Sequence, residues 1–411
     1  MNIQNSRILI KRSTTTGVVP TIPVSDDHTD GSWLTTDIYK GELFINLVDG
    51  IVYSRDNNGI IIIRKKEIYW TGIINYYGDS IVEGFNSSDD AHSFSGVLSN
   101  MIGKSKNNYG VSGYSIRNVM EDFFTNTPFA NQTNPTLVQI GINDLINSNN
   151  TYKIPKISEG IRAFIANQFL TYYIPGASDL ITQAGSGWTN AGMNSATVCS
   201  KSFNSGAGTA IYSNVSGATL TFKHYHDNLV IGCFGIDAFY DYGRFTVHVD
   251  GVLKATYDPN GKGDDWHNPS YTAFTSNNPN VVCISGLNTL EKTVVITLLD
   301  NKYSIIDYVG ALGKPEVVSP VIVNHIAKLN ATGYLIAPAY ASDANIEDTN
   351  EAIDAVCQYF IDLDYPVYVG VIEDTFDITD CLDTDGLHWN DEGHKRVGIY
   401  DFQLTKLIKL K

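Results

Sequence analysis

Near the carboxyl end, Asp385-Gly386-Leu387-His388 sets a carboxylate and an imidazole three residues apart, between turn formers and an amphipathic closing segment. A carboxylate so placed can orient a histidine and stabilise its charged form, which a general base requires. Two earlier stretches offer what such a base would act on. Gly78-Asp79-Ser80 follows an apolar run and presents Ser80 as a nucleophile, and Gly141-Ile142-Asn143-Asp144 follows another and presents the Asn143 amide as a donor. A serine hydroxyl attacks poorly until a base takes its proton, and the tetrahedral oxyanion needs fixed donors. Ser80, His388 and Asp385 meet the first need. The backbone N–H groups of Ser80 and Gly113, with the Asn143 side chain, meet the second. This is hydrolytic acyl transfer, and it calls for no cofactor and no metal.

Other polar residues read as structure. Ser80 with Glu83 also fits an S-x-x-E capping box. Asp79 ties the nucleophile loop to nearby backbone, Asp144 anchors its own loop, and His394 packs against or caps the last helix. His224 and His226 share one face of a strand, but no third ligand stands at convincing spacing, so the pair reads as an exposed strand face. Asp258 to Asp265 lacks the ordered oxygen-ligand pattern and closing Glu of a calcium loop and reads as a solvated turn. Phe239-Tyr240-Asp241-Tyr242 and Trp266-His267 suit core or turn positions, with stacking on sugar rings as the alternative.

The elements that must position these groups follow from periodicity. Residues 1–70 form a separate β-rich module: a strand at Ile8-Leu9-Ile10, a loop at Thr14 to Gly17, a hairpin over Gly41 to Arg55 around Asp49-Gly50, and a turn at Asn57-Asn58-Gly59 into Ile60 to Ile63. An α/β pattern covers residues 71–174. It has a buried strand at Gly72 to Tyr77, helices at Phe94 to Ile102 and Ile116 to Phe124, and a loop at Asn107 to Gly113. A strand at Pro135 to Ile140 and a helix at Ile157 to Tyr172 complete it. Residues 175–304 switch to short alternating strands and read as an antiparallel sandwich. The α/β pattern resumes over 305–411, with strands at Val317 to Asn324 and Val367 to Val371 and a helix at Asn345 to Leu363. The sandwich is therefore an insertion. Strands alternating with helices imply a parallel sheet whose active loops lie at the strand carboxyl ends, where Ser80 and Asn143 fall.

Composition excludes several classes. A net charge of −16 opposes a nucleic-acid binder and docking on an anionic membrane. No run reaches the length of a membrane helix, and the amino end carries no apolar signal-peptide core. Five widely spaced cysteines without a C-x-x-C exclude a disulfide framework and a zinc site, which fits folding in a reducing cytoplasm.

Residues 71–172 and 305–411 resemble the SGNH (GDSL-type) hydrolases. Gly78-Asp79-Ser80-Ile81 is similar to the nucleophile block, and Asn108-Tyr109-Gly110-Val111-Ser112-Gly113 to the glycine block. Gly141-Ile142-Asn143-Asp144 matches the G-x-N-D block and Asp385 to His388 the D-x-x-H block. The resemblance implies a flavodoxin-like three-layer α/β domain, here with an inserted, jelly-roll-like and carbohydrate-binding β-sandwich. It implies Ser80, His388 and Asp385 as the triad and Ser80, Gly113 and Asn143 as the oxyanion hole. The family includes lipases, acyl-thioesterases and carbohydrate O-acetylesterases.

Residues 1–70 resemble a recurrent bacteriophage tail-fibre or tailspike module, through Ile10-Lys11-Arg12-Ser13, Gly17 to Thr21, Gly41 to Asn46 and Asp49 to Tyr53. This implies attachment to phage tail or baseplate proteins, a homotrimer, and a virion location after assembly in the host cytoplasm. Together the two resemblances point to an acetylated bacterial glycan as substrate. The rival readings are a catalytically idle receptor-binding protein and a lipase or thioesterase.

Overall fold

The structure, a computed structural model, describes residues 10–15, 18–23, 35–39, 43–46, 51–55, 60–65, 73–126, 134–146, 153–191, 210–235, 243–258, 278–315, 318–327, 342–372 and 378–408. By its contacts the chain divides into Met1–Trp70 with Asp401–Lys411, and Thr71–Tyr400.

In the first unit β1 (Ile10–Ser13) runs parallel to β2 (Leu43–Asn46). β2 pairs antiparallel with β3 (Ile51–Arg55), which pairs with β4 (Ile60–Lys65). Its described core is small: Ile38, Phe44 and Tyr53, with Val18 and Ile60 packed alongside. Of the strand expected at Ile8-Leu9-Ile10, Ile10 belongs to β1, and residues 8 and 9 lie outside the described ones. The Asp49-Gly50 and Asn57-Asn58-Gly59 turns lie outside them too, but register places Asn46 opposite Ile51 and Arg55 opposite Ile60.

The second unit opens with β5 (Ile74–Gly78), α1 (Ser80–Glu83), α2 (Phe94–Ile102) and β6 (Lys106–Gly110). α3 (Ile116–Asn126), β7 (Thr136–Gln139), α4 (Ile142–Ile146) and α5 (Lys153–Phe169) follow. β6 corrects the expectation of a loop over Asn107 to Gly113. Its Asn- and Gly-rich sequence has poor strand propensity, and pairing with β5 from Ile74↔Lys106 to Gly78↔Gly110 overrides it. The helix expected to reach Tyr172 ends at Phe169, because Leu170 onward is drawn into a sheet.

That sheet belongs to a sandwich. Its strands are β8 (Leu170–Pro175), β9 (Thr182–Ala184), β10 (Thr189–Ala191), β11 (Ala210–Ser213), β12 (Thr219–His224) and β13 (Leu229–Gly235). β14 (Phe245–Val249), β15 (Val252–Tyr257), β16 (Asn278–Ile284), β17 (Lys292–Leu298) and β18 (Ser304–Leu312) complete it. One sheet has the order β10-β11-β18-β13-β16 with β8 also on β18, and the other β15-β14-β17-β12-β9. Ile211, Ile231 and Val309 from the first and Leu220, Phe245, Val247 and Ile296 from the second share one core. The sheets thus face each other, with six and five strands where a jelly roll has eight. β18 also moves the expected return of the α/β pattern at residue 305 to β19.

β19 (Val321–Asn324), α6 (Asp343–Asp362), β20 (Val367–Gly370), α7 (Ile378–Cys381) and α8 (Asp391–Ile408) close the chain. The remaining sheet is wholly parallel, in the order β20-β19-β7-β5-β6. Numbered within the sheet this is the flavodoxin-like order 2-1-3-4-5, with its switch point between β5 and β7. The crossover from β5 to β6 runs opposite to the others, so right-handed connections put α2 on one face and α3, α5 and α6 on the other. Consecutive tyrosines report both faces. Tyr76 meets Phe94 of α2 edge-on, with its hydroxyl 3.0 Å from Ser99 Oγ, while Tyr77 meets Phe123 of α3 and Phe164 of α5. β5 is buried along its whole length, as a strand covered on both faces must be.

The sandwich is fastened to α5 by a buried bond from the Tyr308 hydroxyl to Asn167 Oδ1, 2.7 Å. Tyr308→Phe removes that donor from a buried acceptor and should cost about 1–3 kcal/mol with an unchanged m-value, read by urea unfolding.

Candidate active site

Register brings the active loops level. Gly78 pairs with Gly110 and with Gln139, so β5, β6 and β7 end side by side. Ser80 leaves β5 two residues later, Gly113 leaves β6 three residues later, and Asn143 leaves β7 four residues later. All three therefore rise at the carboxyl edge beside the switch point, where ligands of such sheets bind.

Asp79 is the N-cap of α1, its side chain accepting the Ile81 N–H at 3.0 Å. The capping-box reading of Ser80 and Glu83 is thereby corrected, since Asp79 fills the cap. Glu83 Oε2 instead accepts both the Ser112 N–H, 2.8 Å, and the Ser112 hydroxyl, 2.5 Å. α1 ends after one turn at Gly84, whose φ of 91° favours glycine.

The Asp385–His388 loop is a closed turn. Leu382 bridges Trp389, the Asp383 N–H donates to the His388 carbonyl at 2.8 Å, and Gly386 sits at φ 69°. Asp385 Oδ1 accepts the N–H groups of Leu387 and His388, each at 2.9 Å. Asp385 Oδ2 lies 2.6 Å from His388 Nδ1, and His388 Nε2 lies 2.9 Å from Ser80 Oγ. With Nδ1–H donating a hydrogen bond to Asp385, the imidazole turns the Nε2 lone pair to the serine hydroxyl. Burial raises the pKa of Asp385, but the bonds from His388 and the His388 and Leu387 amides outweigh it and hold the carboxyl below its usual value. Asp385 therefore stays ionised wherever His388 works as a base.

The expected donors lie on the loops after β6 and β7. Val111 N–H donates to the Gly78 carbonyl at 3.2 Å, Tyr114 N–H closes a turn on the Val111 carbonyl at 3.1 Å, and Gly113 has φ 82°. Asn143 Nδ2 donates to the Tyr114 carbonyl at 3.0 Å, which leaves its second hydrogen for an oxyanion. The structure thus joins Ser80, His388 and Asp385 in one hydrogen-bonded line and ties Asn143 to the turn bearing Gly113.

Several supporting contacts escaped sequence reading. The Phe85 ring lies against His388, centroids 4.5 Å apart. Asn86 Nδ2 reaches Asp385 Oδ2 at 3.4 Å. Asp144 accepts the Ile116 N–H at the start of α3 at 2.8 Å and pairs with Lys156 of α5 at 2.8 Å. Asn86 and Asp385 stand 299 residues apart and Ile116 and Asp144 28 apart, with no motif linking them. His394 is structural. Burial holds its pKa down to about 4, Nδ1 accepts the Phe94 N–H, and Nε2 faces the Phe85 carbonyl, each at 3.3 Å.

His224 is buried, not on an exposed face, with Nε2 2.6 Å from the Asn228 carbonyl and its pKa pushed down to about 4 by burial. No group of three or more metal-ligating side chains stands together among the described residues. Cys233, Cys283, Cys357 and Cys381 are buried, and Cys199 lies outside the described residues. So do Phe239 to Tyr242, Trp266, His267 and Pro259 to Asp265.

No family model matches the chain, and no curated protein does. Solved structures similar to it include a family 3 carbohydrate esterase from Clostridium thermocellum, at 12% identity over 82% of this chain and 96% of that one, TM-score 0.36. A lipolytic protein of the G-D-S-L family from Veillonella parvula matches at 9% identity over 81% and 97%, TM-score 0.37. A two-domain esterase active on acetylated mannans matches at 9% identity over 59% and 91%, TM-score 0.31. At such scores the chemistry rests on the distances above and not on these likenesses.

Asp79 carries a titration signature. Burial, with the nearby Asp144 charge, raises its pKa from 3.8 to about 7 against the bond from Ile81. Between those values the folded state holds a proton that the unfolded chain releases, so stability from this group falls as pH rises. Asp79→Asn keeps an acceptor for Ile81 and removes the loss. Its Tm advantage over wild type should grow from about pH 4 to about pH 7 and then level off. An advantage independent of pH would mean that Asp79 is ionised throughout.

Proposed function

We propose that this chain is a serine esterase of the SGNH type that removes O-acetyl groups from a bacterial surface polysaccharide. The observation that carries the esterase reading is the line from Asp385 through His388 to Ser80, at 2.6 and 2.9 Å. His388 takes the Ser80 proton as Oγ attacks the ester carbonyl, and the oxyanion settles on the N–H groups of Ser80 and Gly113 and on Asn143 Nδ2. His388 then protonates the leaving sugar oxygen. Water, deprotonated by the same imidazole, releases the acyl group from Ser80. Asp385 keeps the imidazole in the needed tautomer and offsets its positive charge.

The acetyl and glycan parts of the reading are supported by analogy with the carbohydrate O-acetylesterases of the resembled family and by the phage-like motifs in residues 1–70, while the polar insertion rich in Gly, Ser and Asn disfavours a lipase. Attachment to a phage tail, and a trimer there, are supported by the motifs in residues 1–70 and by the shortness of that turn-rich segment, which suits completion by partners.

Ser80→Ala should abolish release of acetate from p-nitrophenyl acetate and acetylated xylan while circular dichroism stays unchanged, and equal weak rates in both proteins would mean an idle site. Asn143→Ala should lower kcat by about 10²–10³ without unfolding the protein. On a series of nitrophenyl esters, rates should fall beyond acetate, and rates that climb with acyl length would replace the acetylesterase with a lipase. Full-length protein should sediment as a trimer and a chain starting at Thr71 as a monomer. Monomers in both would remove the tail-fibre assembly.

A further inference from the structure

The turn Val111–Tyr114 carries an oxyanion donor yet has little packing to hold it. Val111, Ser112 and Gly113 are exposed, and a Cβ built on Gly113 would meet nothing within 4 Å. Ser112 has a negative φ and Gly113 a φ of 82°, with the Tyr114 N–H on the Val111 carbonyl, which together define a type II turn. In that turn the peptide between Ser112 and Gly113 decides where the Gly113 N–H points, and a type I turn reverses it. Exposed loops without packing keep one geometry only through hydrogen bonds from fixed neighbours.

Two side chains supply such bonds. Asn143 holds one end through the Tyr114 carbonyl. Glu83 holds the other, one carboxylate oxygen accepting both the N–H and the hydroxyl of Ser112. Glu83 is the last residue of α1 and Ser80 the first, so the helix that carries the nucleophile also grips the donor turn. Asn108 reinforces the grip from β6, donating to the Val82 carbonyl at 2.8 Å and accepting the Gly110 N–H at 2.9 Å. A carboxylate suits the task, because bonds to an ionised acceptor are about twice as strong as neutral ones.

We infer that Glu83 is a positioning residue for catalysis, setting the Gly113 N–H against Ser80 by fixing Ser112; this rests on the esterase reading above. The reaction passes nothing through Glu83. What it supplies is an oxygen at one place, and an amide oxygen can supply that too.

The test is steady-state hydrolysis of p-nitrophenyl acetate by full-length wild type, Ser80→Ala, Glu83→Ala and Glu83→Gln, with Tm measured beside it. Glu83→Ala should lower kcat by about tenfold to a hundredfold with KM within about twofold, the signature of a donor misplaced in the transition state. Glu83→Gln should stay within about threefold of wild type, a rescue that loss of a merely stabilising ion would not give. Wild-type kcat in Glu83→Ala, or equal losses in both variants, would overturn the inference. Should Glu83→Ala fail to fold, Ser112→Ala removes the hydroxyl bond alone. A fall of about threefold in kcat then supports the inference and no fall overturns it. If wild type is no faster than Ser80→Ala, the esterase reading itself fails. An active wild type with an inert Ser80→Ala and an unimpaired Glu83→Ala defeats the positioning role only.

Discussion

A Cβ on Gly78 would lie 2.2 Å from the Gln139 carbonyl oxygen and 2.2 Å from Val82 Cγ2, and one on Gly110 would lie 2.2 Å from the Glu83 N–H nitrogen. Backbone therefore meets backbone where β5, β6 and β7 end, and α1 folds straight back over the gap. The approach is what levels Ser80 with the turn from β6 and with Asn143 from β7, because any side chain at either glycine would pry the strand ends from α1. The geometry of the site follows from this contact more than from any bond inside it.

Electrostatics around the contact is arranged to spare the nucleophile loop a second charge. Asp144 is buried with Lys156 and the Ile116 N–H as partners, and it pins α3 and α5 to the loop after β7. Asp79, buried beside it, is pushed toward the neutral form near pH 7 and caps α1 chiefly as a hydrogen-bond acceptor. Lys156 stands beside Asp144, while burial is the largest influence on Asp79.

The chemistry was legible in the sequence because it is local. Asp385 and His388 share one turn, and Ser80 and Asn143 each sit directly after a buried strand, so short motifs report them. The parallel sheet was legible for the same reason, from apolar runs alternating with helical spacing. What stayed hidden depends on pairing between distant segments. β6 is a strand only because β5 accepts it, the helix ending at Phe169 gives way to β8 only because β18 lies alongside, and Glu83 finds Ser112 only after both have folded. Ser80 and Glu83 show how a local rule can mislead: the spacing fits a capping box, while Asp79 one residue earlier is the better cap.

The pairing of β8 with β18 has its own consequence. Leu170, the first residue after α5, is opposite Leu312, the last residue of β18, after which β19 resumes the parallel sheet. The long excursion between them starts and finishes at neighbouring points, so the parallel sheet meets it as though it were a tight connection. The entropy of closing so long a loop is absorbed when the sandwich folds on its own core. The α/β half therefore receives the sandwich through two adjoining strand ends, beside the Tyr308–Asn167 bond that fastens it to α5.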